Sequence, residues 1–427
     1  MLKKTSYTGI ARPYDLGEFS VDQAAKKMVR FAYFHKRLMF IAAGQMPALE
    51  DWDLKQGVGR HLYEDAEAVN ELRIRALQLR LPNTLLDKTP DPFMELFFDE
   101  LLHAANDLEY VCAIYEYVKP TLLQVYRDYC EKTQQIVDIP TIRHLHQIIT
   151  DLEEQIAWGK NMVEEIKSRS WYQDAAVISA KDLFISNLRS IEQLGGRLSG
   201  QEPKSQTIPR RYRSMKPYVL PEKSRRNREM GDTVLYRTGM GLRTEDENLH
   251  LFVEMMRIRQ EEMTAAEMLA GVIYSQKEME WEFYYDLARH LWDEIRHSMF
   301  GQAALEKEGY DWRNRPQYTS AYDLLVPELA STRYAFLSIA IEDAGMKRPG
   351  KVGEFEFCRD TMKHPLMTQF QDYDWADEVN HARFGRKWTP QLLDENLETI
   401  REMMNDFKTQ YLEKTGPIPI QKITSKS

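Results

Sequence analysis

The chain lacks most of what would mark a secreted, membrane-spanning or nucleic-acid-binding protein. Its 427 residues include three cysteines, Cys112, Cys130 and Cys358. Three thiols at scattered spacing form neither a disulfide framework nor a zinc motif, and fit a reducing compartment. No uninterrupted apolar run approaches the roughly 20 residues that cross a bilayer, and the opening MLKKTSYTGIARPYD has no apolar stretch of the kind a signal peptide carries. Positive charge is not in surplus either. Against 57 Lys and Arg stand 66 Asp and Glu, a net −9, which argues against a general nucleic-acid-binding surface. Strand-like alternation is scarce, and there is no P-loop, dinucleotide fingerprint or Gly-x-Ser-x-Gly elbow. What remains, 43% hydrophobic and 29% charged, is the composition of a globular protein, expected to be cytoplasmic and without a membrane partner.

Apolar residues recur at helical spacing through most of the chain, predicting an all-α fold. The expected helices cover 20–44, 50–80, 92–133, 140–168 and 172–194, then 246–275, 278–308, 320–346, 364–388 and 390–414. Asp91-Pro92 reads as a cap followed by proline at the first helical position, and Gly195-Gly196 as a helix stop. Each set makes four long helices and a fifth. Between them, residues 196–245 are rich in proline, glycine and basic side chains and have no helical period. The expected organisation is a first bundle over 1–195, an extended basic linker over 196–245 that lies as a strap on an acidic surface, and a second bundle over 246–427.

The two sets share sequence. GRHLYEDAEA from Gly59 aligns with ARHLWDEIRH from Ala288, RFAYFHKRLMFIAAG from Arg30 with RIRQEEMTAAEMLAG from Arg257, and DLEEQIAWG from Asp151 lies near DEVNHARFG from Asp377. In this reading Ala68 stands where the second set has His297, and Ile156 where it has His381. Only the second set keeps these histidines.

Within the second set one nine-residue pattern occurs twice, as DEIRHSMFG from Asp293 to Gly301 and DEVNHARFG from Asp377 to Gly385. On a helix, residues three apart share a face, so Glu294 with His297 and Glu378 with His381 each present a carboxylate and an imidazole together. A lone E-x-x-H is weak evidence, but a matched pair with shared flanks describes half of a dimetal centre. The other half needs one glutamate from each of two further helices. Glu262 is in phase with Met255, Arg259, Ala266, Leu269 and Ile273, with Glu261 its close competitor, and Glu342 follows directly on the apolar stretch of FLSIAIEDAGM, a candidate by the burial this implies. Four inward glutamates cannot remain bare anions in a core, and two divalent metals would balance them.

The order E…E-x-x-H…E…E-x-x-H over residues 246–388 resembles the ferritin-like di-iron carboxylate superfamily. EEMTAAE, IEDAGM and DEVNHARFG are similar to segments of uncharacterised ferritin-like proteins related to tRNA-modifying hydroxylases. The resemblance implies two tandem ferritin-like four-helix bundles, each with an additional helix, the first a degenerate copy. It implies two iron ions, or a manganese–iron pair, held by Glu262, Glu294, His297, Glu342, Glu378 and His381. It also implies that Asp293 orients His381 and Asp377 orients His297.

The leading expectation is an O₂-activating oxidase or oxygenase acting on a small organic substrate, fed by an external electron donor. Iron oxidation and handling, or a metal-stabilised interaction protein, is the second reading, and an RNA-modifying hydroxylase using the basic linker is the third. A homo-oligomer is compatible with all three. His290 reads as structural because His61 takes its place in the first set. The third DE-x-x-H, at Asp99, Glu100 and His103, reads as exposed or capping. Gly301 and Gly385 cost their helices about 1 kcal/mol each relative to alanine, and serve either close helix packing or open space above the metals.

Overall fold

The computed structural model describes residues 6–195, 198, 200, 204–205 and 207–417; Gly196, parts of the basic linker and residues 418–427 lie outside that set. The described chain is all-α. Its one strand pairing is the two-residue parallel match of Thr233–Val234 with Gln317–Tyr318. Among the described residues no helix is long and apolar enough to cross a membrane. Two compact units emerge, Met1–Ile41 with Glu64–Val219, and Ala42–Tyr63 with Leu220–Ser427. One division therefore passes through the helices Val21–Gln45 and Trp52–Gln78, and the other through the basic segment.

In the first unit Asp91 caps Pro92–Leu101 by accepting from the Met94 N–H at 2.9 Å, with proline at the first helical position as its spacing predicts. The single helix expected over 92–133 is two. Asn106 accepts from the Glu109 N–H at 3.0 Å and starts a new helix over 107–132, which contains a π turn at Cys112–Val118. Ile139–Ser168 and Ala175–Leu194 follow.

The third DE-x-x-H secures the end of the linker. Glu100 is fully buried, not exposed, and accepts the backbone N–H groups of Tyr212, Arg213 and Ser214 at 2.7, 2.8 and 3.2 Å. Burial works against its charge, and these bonds outweigh burial and hold its pKa below the usual value. His103 meets the Lys216 carbonyl at 3.2 Å, and Arg211 and Arg213 pair with Asp99 and Glu109.

In the second unit the helices that matter for the site are Glu247–Glu261 and Met263–Ser275, Trp281–Lys307, a helix over 330–343 and Pro365–Leu393, followed by Leu397–Thr415. The first pair forms one rod broken at Glu262 (φ −66°, ψ −9°). The 330–343 helix ends in a π turn, Phe336–Asp343. Pro365–Leu393 runs through Pro390 and stops at Asp394, whose φ of 53° cannot continue a helix, so the break expected near 389 falls later. Gly350–Glu356 was not legible as a helix because Pro349, Gly350 and Gly353 read as loop.

Residues 42–63 complete this unit's core. A Cβ on Gly59 would fall 2.7 Å from Ile295, Trp52 donates from Nε1 to Gln302 at 3.0 Å, and Lys55 reaches the buried Glu267. The two patterned glycines are resolved in favour of packing. A Cβ on Gly301 would lie 2.1 Å from the Gln260 backbone nitrogen, and one on Gly385 would lie 2.6 Å from Ser338 Cβ. Both helices press directly on a neighbour here, which leaves no open space for O₂ at either glycine.

Candidate metal centre

Glu262 sits at the break in its rod, where the Gln260 carbonyl accepts from the Ser298 hydroxyl at 2.8 Å. That break turns Glu262 inward while its neighbour goes elsewhere: Glu261 pairs with Arg257 at 3.0 Å and Arg237 at 3.1 Å. Of the two glutamates left open by the sequence, Glu262 is the one beside His297, whose Nδ1 lies 3.5 Å from Glu262 Oε2. From the Trp281–Lys307 helix come Glu294 and His297, from the π turn Glu342, and from Pro365–Leu393 Glu378 and His381. His381 Nδ1 lies 3.4 Å from Glu294 Oε1 and 3.8 Å from Glu342 Oε1. All six predicted residues meet in one cluster, five of them buried and Glu262 partly so.

The outer acids also lie where the sequence reading put them. Asp293 Oδ2 is 3.3 Å from His381 Nε2, and Asp377 Oδ2 is 3.4 Å from His297 Nε2. Arg296 bridges the two acids at 2.5 and 2.9 Å, and Arg289 adds a bond to Asp293 at 2.8 Å. Each imidazole thus turns one nitrogen towards a carboxylate and the other into the cluster, an orientation that would fix the tautomer of a metal-bound histidine.

Sequence reasoning missed three participants and undervalued a fourth. Asp374 is fully buried one turn before Glu378, with Oδ1 3.5 Å from His297 Nδ1. Its i, i+4 relation to Glu378 was the available signal. Lys351 places Nζ 2.9 Å from both Asp374 and Glu378, and Arg259 reaches Asp374 at 3.3 Å and Glu354 at 2.5 Å. His290, read as structural, joins the cluster through Nε2, 2.7 Å from Glu342 Oε1, and stacks on His381 with ring centres 3.8 Å apart.

Each of the six predicted residues carries a buried atom without a hydrogen-bond partner: Glu262 Oε2, Glu294 Oε1, His297 Nδ1, Glu342 Oε2, Glu378 Oε2 and His381 Nδ1. Orphaned buried polar atoms cost about 1–3 kcal/mol each, so six in one place call for a common partner. With His290 and Asp374, these residues fall into three groups whose donor atoms lie close enough together to hold a cation: His290, Glu294, Glu342 and His381; Glu262, Glu294 and His297; and His297, Asp374 and Glu378. Shared Glu294 and His297 join the groups to one another. Mixed carboxylate oxygen and imidazole nitrogen is a donor set for a divalent transition metal.

Comparison with family models, with curated proteins and with solved structures yields no match to this chain.

The atoms of the cluster resist carrying charge without a cation. Burial, then the neighbouring Glu378, pushes the Glu342 carboxyl up to about 8, and burial with Glu262, Glu342 and Glu378 nearby raises Glu294 well above the usual range. Glu262 is raised as well, mainly by burial. On the other side of the cluster, burial is outweighed by Lys351 and His381 at Glu378, and by Arg259 and Lys351 at Asp374, so both stay ionised. Burial holds His290 down to about 4, leaving it a neutral donor.

A pH dependence follows for the metal-free protein. A carboxyl whose folded pKa is raised keeps a proton that the unfolded chain has lost, so its contribution to stability falls as pH rises through that window. Between pH 7 and 8 the depressed His290 and His381 are already neutral, whereas His297, raised against its burial by Asp374, Asp377 and Glu262, loses stability as pH rises and so acts in the same direction as Glu342 and Glu294. The chelated protein is expected to melt at a lower temperature at pH 8 than at pH 7, by up to about 1.4 kcal/mol per pH unit for each such group. Glu342→Gln should flatten the profile. Melting curves that rise with pH, or a slope unchanged by Glu342→Gln, would contradict this assignment.

Proposed function

We propose that the protein is a di-iron carboxylate enzyme that activates O₂ to oxidise a small organic substrate. One observation carries the reading: every residue of the sequence-predicted ligand set turns an unpartnered buried atom into one cluster. In this reading Glu262, Glu294, His297, Glu342, Glu378 and His381 hold two ions, iron at both positions or manganese and iron, in a ferritin-like four-helix bundle. Two ferrous ions would supply two electrons to O₂, with further electrons coming from an external donor.

The protein's own part is to position and insulate. Asp293 and Asp377 keep the histidines turned inward, and burial of Glu294, Glu342 and Glu378 limits the contact of the centre with water to the side of the cavity. Glu262 and Glu342 lack a histidine on the same turn and sit at helix irregularities, so they are the carboxylates best able to change orientation. A cavity of about 440 Å³ reaches Glu262, Glu294, Glu342 and Glu378, which favours a substrate-processing site over a closed structural metal. Nucleic acid is not favoured, since Arg211, Arg213 and Arg226 of the basic segment already pair with Asp99, Glu109 and Glu267.

The first unit, on this proposal, is a degenerate copy. Gly159 presses on Tyr115 in one π turn as Gly385 presses on Ser338 in the other, and four residues beyond those contacts stand Lys119 and Glu342. On this register Gln155, rather than Ile156, would stand opposite His381. The polar core of the copy satisfies itself. His35 bonds Asp65 at 2.7 Å and Tyr126 at 3.0 Å, Lys119 lies 3.4 Å from Asp65 and bonds Gln155, and Gln155 bonds Glu64 at 2.7 Å. One ammonium there takes the role proposed for metal in the other unit.

The test is anaerobic loading with ferrous iron followed by O₂, monitored by absorption spectroscopy and O₂ uptake. Rapid O₂ consumption with a coloured diferric product is expected, and both should be lost in Glu342→Ala. A diferrous form unchanged in air for hours would overturn the oxygenase reading, and oxidation followed by release of iron would indicate iron handling instead.

A further inference from the structure

The cavity beside the cluster is uneven in charge once the cluster is neutralised. Its wall contains six acids, Glu261, Glu262, Glu294, Glu342, Glu354 and Glu378, and six bases, Arg237, Arg259, Lys347, Arg348, Lys351 and Lys408. Glu261 pairs with Arg237 and Glu354 with Arg259. Lys351 is held by Asp374 behind the wall. If the four inner glutamates hold two divalent ions, Lys347, Arg348 and Lys408 remain, and among the described residues none of them pairs with a carboxylate.

Lys408 is the most telling of the three. It is partly buried, and its Nζ donates to the Ala340 carbonyl at 2.8 Å, two residues from Glu342. Burial depresses its pKa, the expected result for an ammonium held out of water without an anion. Lys347 and Arg348 are exposed and lie just beyond the Glu342 turn. The rest of the wall is largely apolar, including Ile258, Ala265, Met268, Phe336, Leu337 and Ile341. Two tyrosines also line it, but their hydroxyls are engaged: Tyr318 and Tyr411 bond each other at 2.9 Å, and Tyr411 bonds Ser320 at 2.6 Å.

We infer that the cavity binds an organic anion, a carboxylate joined to an apolar body, with Lys408 holding the carboxylate and Lys347 and Arg348 drawing it in. This names the substrate class of the proposed enzyme and rests on the dimetal reading for its charge balance. A cationic ligand would add to the surplus positive charge, and a neutral one would leave Lys408 without an anion. An anion anchored at Lys408 can lay its apolar body along the wall beside Glu262 and Glu342, where oxidation would occur.

The probes are octanoate and phenylacetate, with octylamine and phenethylamine as cationic counterparts and octanol as a neutral one. They are titrated calorimetrically into the full-length, anaerobically iron-loaded chain. The acids should bind and the amines should not. Lys408→Gln should weaken the acids about tenfold, the loss typical of a charge-assisted hydrogen bond, and change octanol less than about twofold. The double variant with Arg348→Gln should weaken the acids further. Melting temperature and iron content, read on the same samples, show that each variant is folded and loaded.

Amines binding as tightly as the acids would overturn the inference. So would acid binding unchanged in both variants, since the carboxylate would then sit on the metals. Iron bound at two per chain with no acid binding would overturn this inference and leave the dimetal reading intact. Acid binding that depends on Lys408 in a chain that takes up no iron would do the reverse.

Discussion

His297→Ala is expected to lower iron content from two ions per chain to one or fewer, and His381→Ala to do the same. His297 touches two of the three candidate groups, with Nδ1 3.5 Å from both Glu262 and Asp374. Alanine removes the nitrogen donor on that side and leaves carboxylates that cannot all stay ionised. His381 is the corresponding donor between Glu294 and Glu342. The matched control is His103→Ala, which removes an imidazole from a sequence motif of the same form. That ring faces backbone carbonyls, Nδ1 2.8 Å from Asp99 O and Nε2 3.2 Å from Lys216 O, and can donate to one of them in its neutral form, so its loss should leave iron content unchanged. Elemental analysis after reconstitution measures all three. Four ions per chain in the parent, none, or equal loss in the His103 variant would refute the assignment. Asp377→Ala should retain the ligands yet weaken metal binding about 10–100-fold, the usual effect of releasing a ligand histidine from its orienting acid.

Glu267→Gln is expected to be among the most destabilising single changes outside the cluster. Glu267 is fully buried and accepts from Arg226 at 2.6 and 3.0 Å and from Lys55, itself fully buried. Both cations outweigh burial and keep the carboxylate ionised, its pKa below the usual value. The amide would leave two buried positive charges without an anion, a loss of about 3–5 kcal/mol. Because Lys55 and Arg226 come from residues 42–63 and 220–245, that loss would loosen the packing of segments far apart in sequence. Chemical denaturation reads it out. Replacing all three residues with apolar side chains should recover most of the stability, because breaking a buried ion group costs more than removing it. A Glu267→Gln variant within 1 kcal/mol of the parent would show that water reaches the triad, against its burial.

The contrast between these two sites explains what was legible in the sequence. The cluster could be read because E-x-x-H on a helix has a fixed geometry and occurs twice with the same flanks, and because Glu342 follows directly on an apolar stretch. Lys351 and Arg259 were hidden. A buried lysine looks like any surface lysine in a sequence, and Lys351 lies on a short helix whose glycines and proline read as loop. Glu267 was hidden for the same reason, since its partners sit roughly 40 and 210 residues away. Glu262 and Glu261 are adjacent, and only the break in the backbone, which no periodicity announces, separates an inward carboxylate from one committed to Arg237 and Arg257. The helical class followed from period alone. The helix ends at 102–106 and 394 depended on a capping asparagine and a left-handed aspartate, local choices that the apolar pattern does not record.

The π turn that carries Glu342 has a consequence for how such a centre can be lost. A π turn is an α-helix with one residue inserted, and each residue of an α-helix turns the chain by about 100°. Deleting one codon between Phe336 and Asp343 would restore a regular helix, and would swing Glu342 away from the cluster relative to the residues before the turn. The hydrophobic stripe of the helix would need to readjust over only a turn or so. The cluster and the helical architecture are therefore separable here by three nucleotides, without altering the identity of any of the six residues.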